Sequence, residues 1–160
     1  MLEQKMSNEK TIVISGGMDP VHVGHVKMIK AAAELGRVIV VLNSDEWLVR
    51  KKGFAFMSFE ERKYLLENIK GVSEVSDVDD SDGTVCEALQ RLKPDMFGNG
   101  GDRTSDNTPE KEVCLDIGIR MVWNLGGEKI QSSSDLVRDF VRNRAANSDL
   151  NSFKRALEEL

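Results

Sequence analysis

The chain has 160 residues, with 22 Lys or Arg, 27 Asp or Glu, 40% apolar residues and a formal net charge of −5. That length suits one domain, and the apolar share can fill a core, which excludes disorder as the main state. The acidic balance argues against a dedicated nucleic-acid binder but leaves room for a local basic pocket. The longest apolar run, Val38 to Leu42, is far short of the roughly 20 residues of a membrane span. Met1 to Lys10 is polar and reads as an N-terminal extension without a signal-peptide core. Cys86 and Cys114 show no C-x-x-C spacing, so free buried thiols and a cytoplasmic location are expected.

In chain order, strands alternate with helices. Thr11 to Ile14 is a short β-branched run ended by Gly16-Gly17, which predicts a buried strand. A helix is expected from Gly24 to Leu35, with Val26, Ile29, Ala32, Ala33 and Leu35 on one face and Gly36 as its stop. Val38 to Leu42 is the second strand, followed by a short segment capped by Ser44 or Asp45 that carries Trp47 and Leu48. Lys51-Lys52-Gly53 reads as the opening of a loop. Ser58 and Glu61 have capping-box spacing for a helix from Phe59 to about Lys70. A weak third strand is expected over Val75 to Val78, then a turn at Asp79 to Gly83. Thr84 and Glu87 suggest a second capping box before a helix ending near Leu92. Met96-Phe97 is the fourth strand, Gly98 to Gly101 a glycine-rich loop, and Thr108-Pro109 the start of the next helix. Ile119 to Trp123 is the fifth strand, and a helix runs from Ser134 to about Arg144.

This alternation predicts an α/β fold: a Rossmann-like, doubly wound, parallel five-stranded sheet with helices on both faces. The expected layout is an extension at 1–10, one domain at 11–145 and a helical tail at 146–160. In the tail, Phe153, Ala156, Leu157 and Leu160 share a helical face, with Ser152 as its cap. The tail is expected to pack on the domain or on a partner subunit.

Ligands of such sheets sit beyond the carboxyl ends of the strands. The stretch after the first strand is Ser15-Gly16-Gly17-Met18-Asp19-Pro20-Val21-His22-Val23-Gly24-His25. Its glycines allow close backbone approach, and the helix start offers unpaired N–H groups and a positive dipole end to an anion. His22 and His25 stand at that helix start, where a bound anion would raise their pKa. The bland readings are a plain turn at Gly16-Gly17 and a metal pair at i, i+3, although the chain has no third histidine. No dinucleotide or P-loop glycine pattern occurs.

Taken together, Gly16-x-x-Asp19 and His22-Val23-Gly24-His25 after a first strand resemble the H-x-G-H signature of the cytidylyltransferase-like nucleotidyltransferase superfamily. The resemblance extends through Asn43-Ser44-Asp45-Glu46, Arg50-Lys51-Lys52-Gly53, Phe59-Glu60-Glu61-Arg62-Lys63, Lys93-Pro94-Asp95, Gly100-Gly101-Asp102 and Ser132-Ser133-Ser134. It covers about Thr11 to Val141. Within the superfamily it is nearest to heptose 1-phosphate adenylyltransferase and glycerol 3-phosphate cytidylyltransferase. Gly17 and Met18 stand where the family usually has Thr and Phe, Gln131 replaces an apolar residue, and Asp102 to Glu110 is unusually polar.

The resemblance implies transfer of a nucleoside monophosphate from a nucleoside triphosphate, ATP favoured, to a phosphorylated sugar or polyol with pyrophosphate release. Use of CTP on glycerol 3-phosphate is the alternative within the class, and a non-catalytic nucleotide-sensing module the alternative outside it. His22, His25, Lys51 and Lys52 would be catalytic. Gly16, Gly17, Met18, Asp19, Gly24, Gly100, Asp102, Lys129, Ser132, Ser133 and Ser134 would bind nucleotide, and Arg62 would hold the acceptor phosphate. Magnesium would be held by phosphate oxygens and water rather than by direct protein ligands, with Asp19 orienting the site or its metal. The expected partners are these two small molecules, with no nucleic acid or membrane, and a homodimer is open because relatives are often dimers. Each residue also has an ordinary reading: Lys51 and Lys52 as solvated loop charges, Arg62 as a surface residue, Ser132 to Ser134 as a helix cap, Asp102 as a turn cap.

Overall fold

The structure is a computed structural model and describes residues 9–147 and 150–159. Most of the extension expected at 1–10, and Leu160 of the tail face, therefore lie outside the described residues. Five strands, β1 (Thr11–Gly16), β2 (Arg37–Leu42), β3 (Val72–Ser76), β4 (Met96–Gly98) and β5 (Arg120–Val122), form one sheet. The helices are α1 (Val23–Ala33), α2 (Asp45–Lys52), α3 (Phe59–Glu67), α4 (Cys86–Leu92), α5 (Lys111–Ile117), α6 (Ser133–Asn147) and α7 (Leu150–Glu158). All strand pairs are parallel, in the order β3-β2-β1-β4-β5, so the expected doubly wound sheet is the one observed.

The apolar runs sort by alternation onto the two faces of the sheet. Ile12, Ile14, Val38, Val40 and Leu42 pack with Ile29, Ala32 and Leu66 on one face. Val13, Ile39, Val41 and Phe97 pack with Ala88, Leu89 and Cys114 on the other. Strand β2 is buried from Val38 to Leu42 because both faces are covered, which is why it reads as an unbroken apolar run. Strand β3 is an edge strand with Ser73 and Glu74 exposed, so its pattern is weak and it begins three residues earlier than expected. Val78, expected in that strand, packs instead with Val85 in the second core layer.

Local chemistry moves several helix boundaries. The Ser58–Glu61 capping box forms, with each side chain meeting the other's backbone N–H. The Thr84–Glu87 box does not. The cap position of α4 is Val85, and Glu87 instead pairs with Arg91 at 2.8 Å and accepts the Asp79 N–H. Thr108 does not cap α5 either. Its hydroxyl donates to the Thr104 carbonyl at 2.8 Å, and the cap position falls at Glu110. In the tail, α7 starts at Leu150, so Ser152 lies within the helix rather than capping it.

Asp80 ties the end of β2 to the start of α2. Its carboxylate accepts from Asn43 Nδ2 (3.0 Å), the Ser44 N–H (2.8 Å) and the Ser44 hydroxyl (2.6 Å). Arg50 donates to the Asp80 carbonyl at 2.7 Å, and the residue is buried. Asp80→Ala leaves several buried donors without an acceptor, and we expect a loss of about 2–3 kcal/mol in urea unfolding. An unchanged midpoint would show that the clamp contributes nothing.

Candidate active site

The strand order reverses between β1 and β4, and there the carboxyl ends of the strands are left open. A cleft of about 270 Å³ lies at this point. It is lined by Ser15 to Asp19 at the β1 exit, by His22, Gly24 and His25, and by Trp47 and Lys51 of α2. The β4 exit from Gly98 to Arg103, the segment from Leu125 to Ser134, Glu110 and Lys52 of α2 also line it.

His22 caps α1. Its Nδ1 accepts the Gly24 N–H at 3.0 Å, and Nδ1 of His25 accepts the His22 N–H at 3.2 Å. An imidazole whose Nδ1 accepts and which is neutral carries its proton on Nε2. Both rings are therefore assigned as Nε2–H donors. They stack with centroids 3.8 Å apart. Burial, then the His22 charge and Lys129, lower the His25 pKa to about 4; burial and Lys129 lower that of His22. A Cβ at Gly24 would lie 2.8 Å from the His22 ring, so only glycine lets the ring fold back onto its own helix start.

The two lysines separate. Both belong to the last turn of α2, not to a loop, and Gly53 ends that helix in the left-handed conformation. Lys51 stands over Trp47, its Nζ 4.6 Å from the ring centroid. Although the residue as a whole is exposed, its ammonium is crowded by protein, which with Arg103 and Lys129 lowers its pKa against the opposing pull of Asp102. Lys52 donates to the Asp19 carbonyl at 2.6 Å and pairs with the Asp19 carboxylate at 2.8 Å. Lys52 also lines the cleft, with its ammonium held by Asp19. The Asp19 carboxylate also accepts the Phe56 and Met57 N–H groups at 2.6 and 2.7 Å, which orders the loop beyond α2 against the β1 exit.

Arg62 is also corrected. It is fully buried and outside the cleft lining. Its guanidinium donates to the carbonyls of Met57 (3.1 Å), Gly17 and Asn43 (both 2.8 Å), and to Asp45 Oδ1 (2.6 Å). It organises the cleft floor and has no face left for an acceptor phosphate.

Gly16 and Gly100 lie in the lining as expected, and so does Gly17, where a Cβ would come 2.7 Å from Leu48. A bare position at 17 lets α2 close onto the β1 exit, which accounts for glycine in place of a larger residue. Met18 borders the cleft, but its side chain is buried in the first core layer. Asp102 pairs with Lys129 at 2.9 Å, and that hydrogen bond is the first cause of its lowered pKa. Ser132 caps α6 by accepting the Asp135 N–H at 3.2 Å, Ser133 donates to the Pro20 carbonyl at 2.7 Å, and Ser134 is exposed at the cleft edge. Gln131 accepts the Ser132 N–H at 3.0 Å. The starts of α1 and α6 therefore both border the cleft. Trp47, Arg103 and Glu110 join the lining without having been singled out as site residues. The i, i+4 spacing of Trp47 and Lys51 is the signal that locates the first; the other two lie in the unusual polar stretch. Among the described residues, no group of three or more His, Cys, Asp or Glu converges to hold a metal, and no helix is long and apolar enough to cross a membrane.

A parallel sheet with an anion-seeking cleft at its switch point, two histidines at a helix start and loose cations opposite defines a nucleotidyltransferase-type α/β domain. The cytidylyltransferase-like family model matches residues 13–147, and the chain belongs to that family. It is 34% identical over 125 residues to the bifunctional protein HldE of Syntrophotalea carbinolica, covering 76% of this chain and 25% of that protein. It is 31% identical over 111 residues to the FAD synthase of Ferroglobus placidus, covering 69% of this chain and 72% of that one. The chain thus spans about a quarter of the length of that HldE relative. The lipopolysaccharide core biosynthesis protein of Thermoplasma volcanium shares the fold, with a TM-score of 0.63 at 20% identity over 72% of this chain and 96% of that one.

Removing Arg62 strands four acceptors around a buried void. Arg62→Ala is expected to cost about 3–5 kcal/mol in urea unfolding, and Arg62→Lys to recover only part of it. Wild-type stability in either variant would restore a surface role for this side chain. For His25, whose folded pKa lies below the ordinary 6.5, the unfolded chain binds the extra proton. Its contribution to stability is complete above pH 6.5 and is lost as pH falls towards about 4. An NMR titration of the His25 ring in the ligand-free protein should show a midpoint near 4, and a midpoint at 6.5 or above would remove the neutral assignment.

Proposed function

We propose that this chain transfers a nucleoside monophosphate from a nucleoside triphosphate, ATP favoured, to a phosphorylated sugar or polyol, releasing pyrophosphate. The observation that carries the reading is the pair of stacked Nε2–H imidazoles at the α1 start, facing a cleft that Lys51 and Lys129 also border. The family membership and the HldE relative support it. ATP is favoured over CTP because a second relative is named for FAD, itself an adenylyl compound.

An oxygen of the acceptor phosphate attacks the α-phosphorus, and the bond to the bridging oxygen of pyrophosphate breaks. A phosphate monoester is largely dianionic at pH 7, its second pKa being about 6, so no general base is needed. The cleft fits that economy, since Asp19 is tied to Lys52 and Asp102 to Lys129. The work left to the protein is alignment of two anions and stabilisation of spreading charge. His22 and His25 donate to the triphosphate, Lys51 and Lys129 offset its charge, and the α1 and α6 starts add oriented N–H groups. A magnesium ion, held by triphosphate oxygens and water, would neutralise part of the triphosphate charge. The two free cysteines suit a reducing compartment such as the cytoplasm.

The test is a matrix of ATP and CTP against phosphorylated sugars, glycerol 3-phosphate and FMN, read by pyrophosphate release. His22→Ala and His25→Ala should each lower turnover by about a hundredfold or more while leaving the melting curve cooperative. Near-wild-type turnover in both would remove the histidines from the chemistry. Triphosphate binding without turnover anywhere in the matrix would favour a nucleotide sensor.

A further inference from the structure

One buried charge in the cleft wall is not used by this chemistry. Glu110 is 3% exposed and borders the cleft, yet among its two carboxylate oxygens only Oε1 has a hydrogen bond, from the Val85 N–H at 3.2 Å. Oε2 is buried with no hydrogen-bond partner. The nearest cation is Arg103, whose NH1 is 3.7 Å away, too long for a hydrogen bond. Arg103 keeps 42% of its side chain exposed, borders the same cleft, and lies close enough to Lys51 to influence its charge. A buried carboxylate oxygen without a donor is unfavourable, so this atom calls for a partner such as water, an ion or a ligand group.

We propose that Arg103 and Glu110 form the acceptor clamp: the guanidinium turns to the acceptor's phosphate, and the unpartnered Glu110 Oε2, reached by a small side-chain shift at the cleft wall, accepts a hydrogen bond from a hydroxyl of the same molecule. Glu110 is then the residue that selects polyhydroxy phosphates over plain alkyl phosphates. Its carboxylate is a pure acceptor, so it rewards an O–H and has nothing to offer an alkyl chain. The cleft has the two features this needs side by side, a part-exposed cation for the phosphate and a buried carboxylate for the hydroxyl. The polar run from Asp102 to Glu110 is the segment that supplies both. The inference rests on the acceptor reading above but concerns acceptor choice, which can be measured apart from turnover.

Wild type, Glu110→Gln and Arg103→Ala are titrated calorimetrically with n-propyl phosphate, glycerol 3-phosphate and mannose 1-phosphate in the presence of a non-hydrolysable ATP analogue. Wild type is expected to bind at least one polyhydroxy phosphate tenfold or more tighter than propyl phosphate. Glu110→Gln should cut that preference at least fivefold while leaving affinity for propyl phosphate and for the nucleotide analogue unchanged. Arg103→Ala should weaken all three phosphates alike. Equal wild-type affinities, or a preference that survives in Glu110→Gln, overturn the proposal. Should Glu110→Gln lose its cooperative melt, the wild-type preference and the uniform Arg103→Ala effect decide, and lack of either overturns it. Failure of nucleotide binding or of pyrophosphate release counts instead against the transferase reading, since hydroxyl preference is measured without chemistry.

Discussion

A single buried guanidinium holds the architecture of the site. Burying an arginine costs several kcal/mol unless its donors are satisfied, and here four of them meet oxygen acceptors. Those acceptors belong to the β1 exit, the β2 exit, the first residue of α2 and the segment before α3. No one of these pieces can shift without breaking a bond to a charge that has no water to fall back on. The Asp19–Lys52 pair repeats the device alongside, tying the β1 exit to the end of α2 and to the loop beyond it. The cleft floor is thus held for the same reason that Arg62 is turned away from the cleft.

On that floor the cleft stores its electrostatics in an unusual state. Burial and Lys129 disfavour the charged form of both imidazoles, and at His25 the neighbouring His22 adds to this. Two adjacent imidazolium ions beside lysines would repel, and neutrality removes that penalty. A polyphosphate reverses the balance, since its negative charge favours the protonated rings. On the proposed reading the site would present N–H donors to an arriving anion and gain positive charge as the anion binds. Crowding and neighbouring cations likewise lower the Lys51 pKa.

Much of this was readable in the chain. The sheet, its parallel order and the histidine helix start follow from apolar runs and local motifs, because those interactions lie within a few residues of each other. Ser58 and Glu61 form the box their spacing announces. Thr84 and Glu87 have the same spacing and do not, because Arg91 one helical turn on competes for the glutamate. The lysine pair shows the same limit. Lys51 and Lys52 are adjacent in sequence and both line the cleft, yet α2 sets one over Trp47 and pairs the other with Asp19. Arg62 was legible as an arginine on a helix, but its burial is set by carbonyls from residues 17, 43 and 57, which no local pattern reveals.

The two halves of the cleft differ in how they are built, and that difference bears on how such a site can change its substrate. The half at the β1 exit is made from helix starts and two histidines within one short segment, braced by Arg62 and the Asp19–Lys52 pair. Removing those braces would disturb the fold. The opposite wall carries Arg103 and Glu110 on the polar segment between β4 and α5, and Arg103 remains half-exposed with a long ion pair to Glu110. The bracing contacts lie in the first half and not at Arg103. On the proposed reading, a scaffold so divided would keep one reaction fixed while its acceptor wall varies, which is the physical condition for one family to serve proteins as differently named as HldE and FAD synthase.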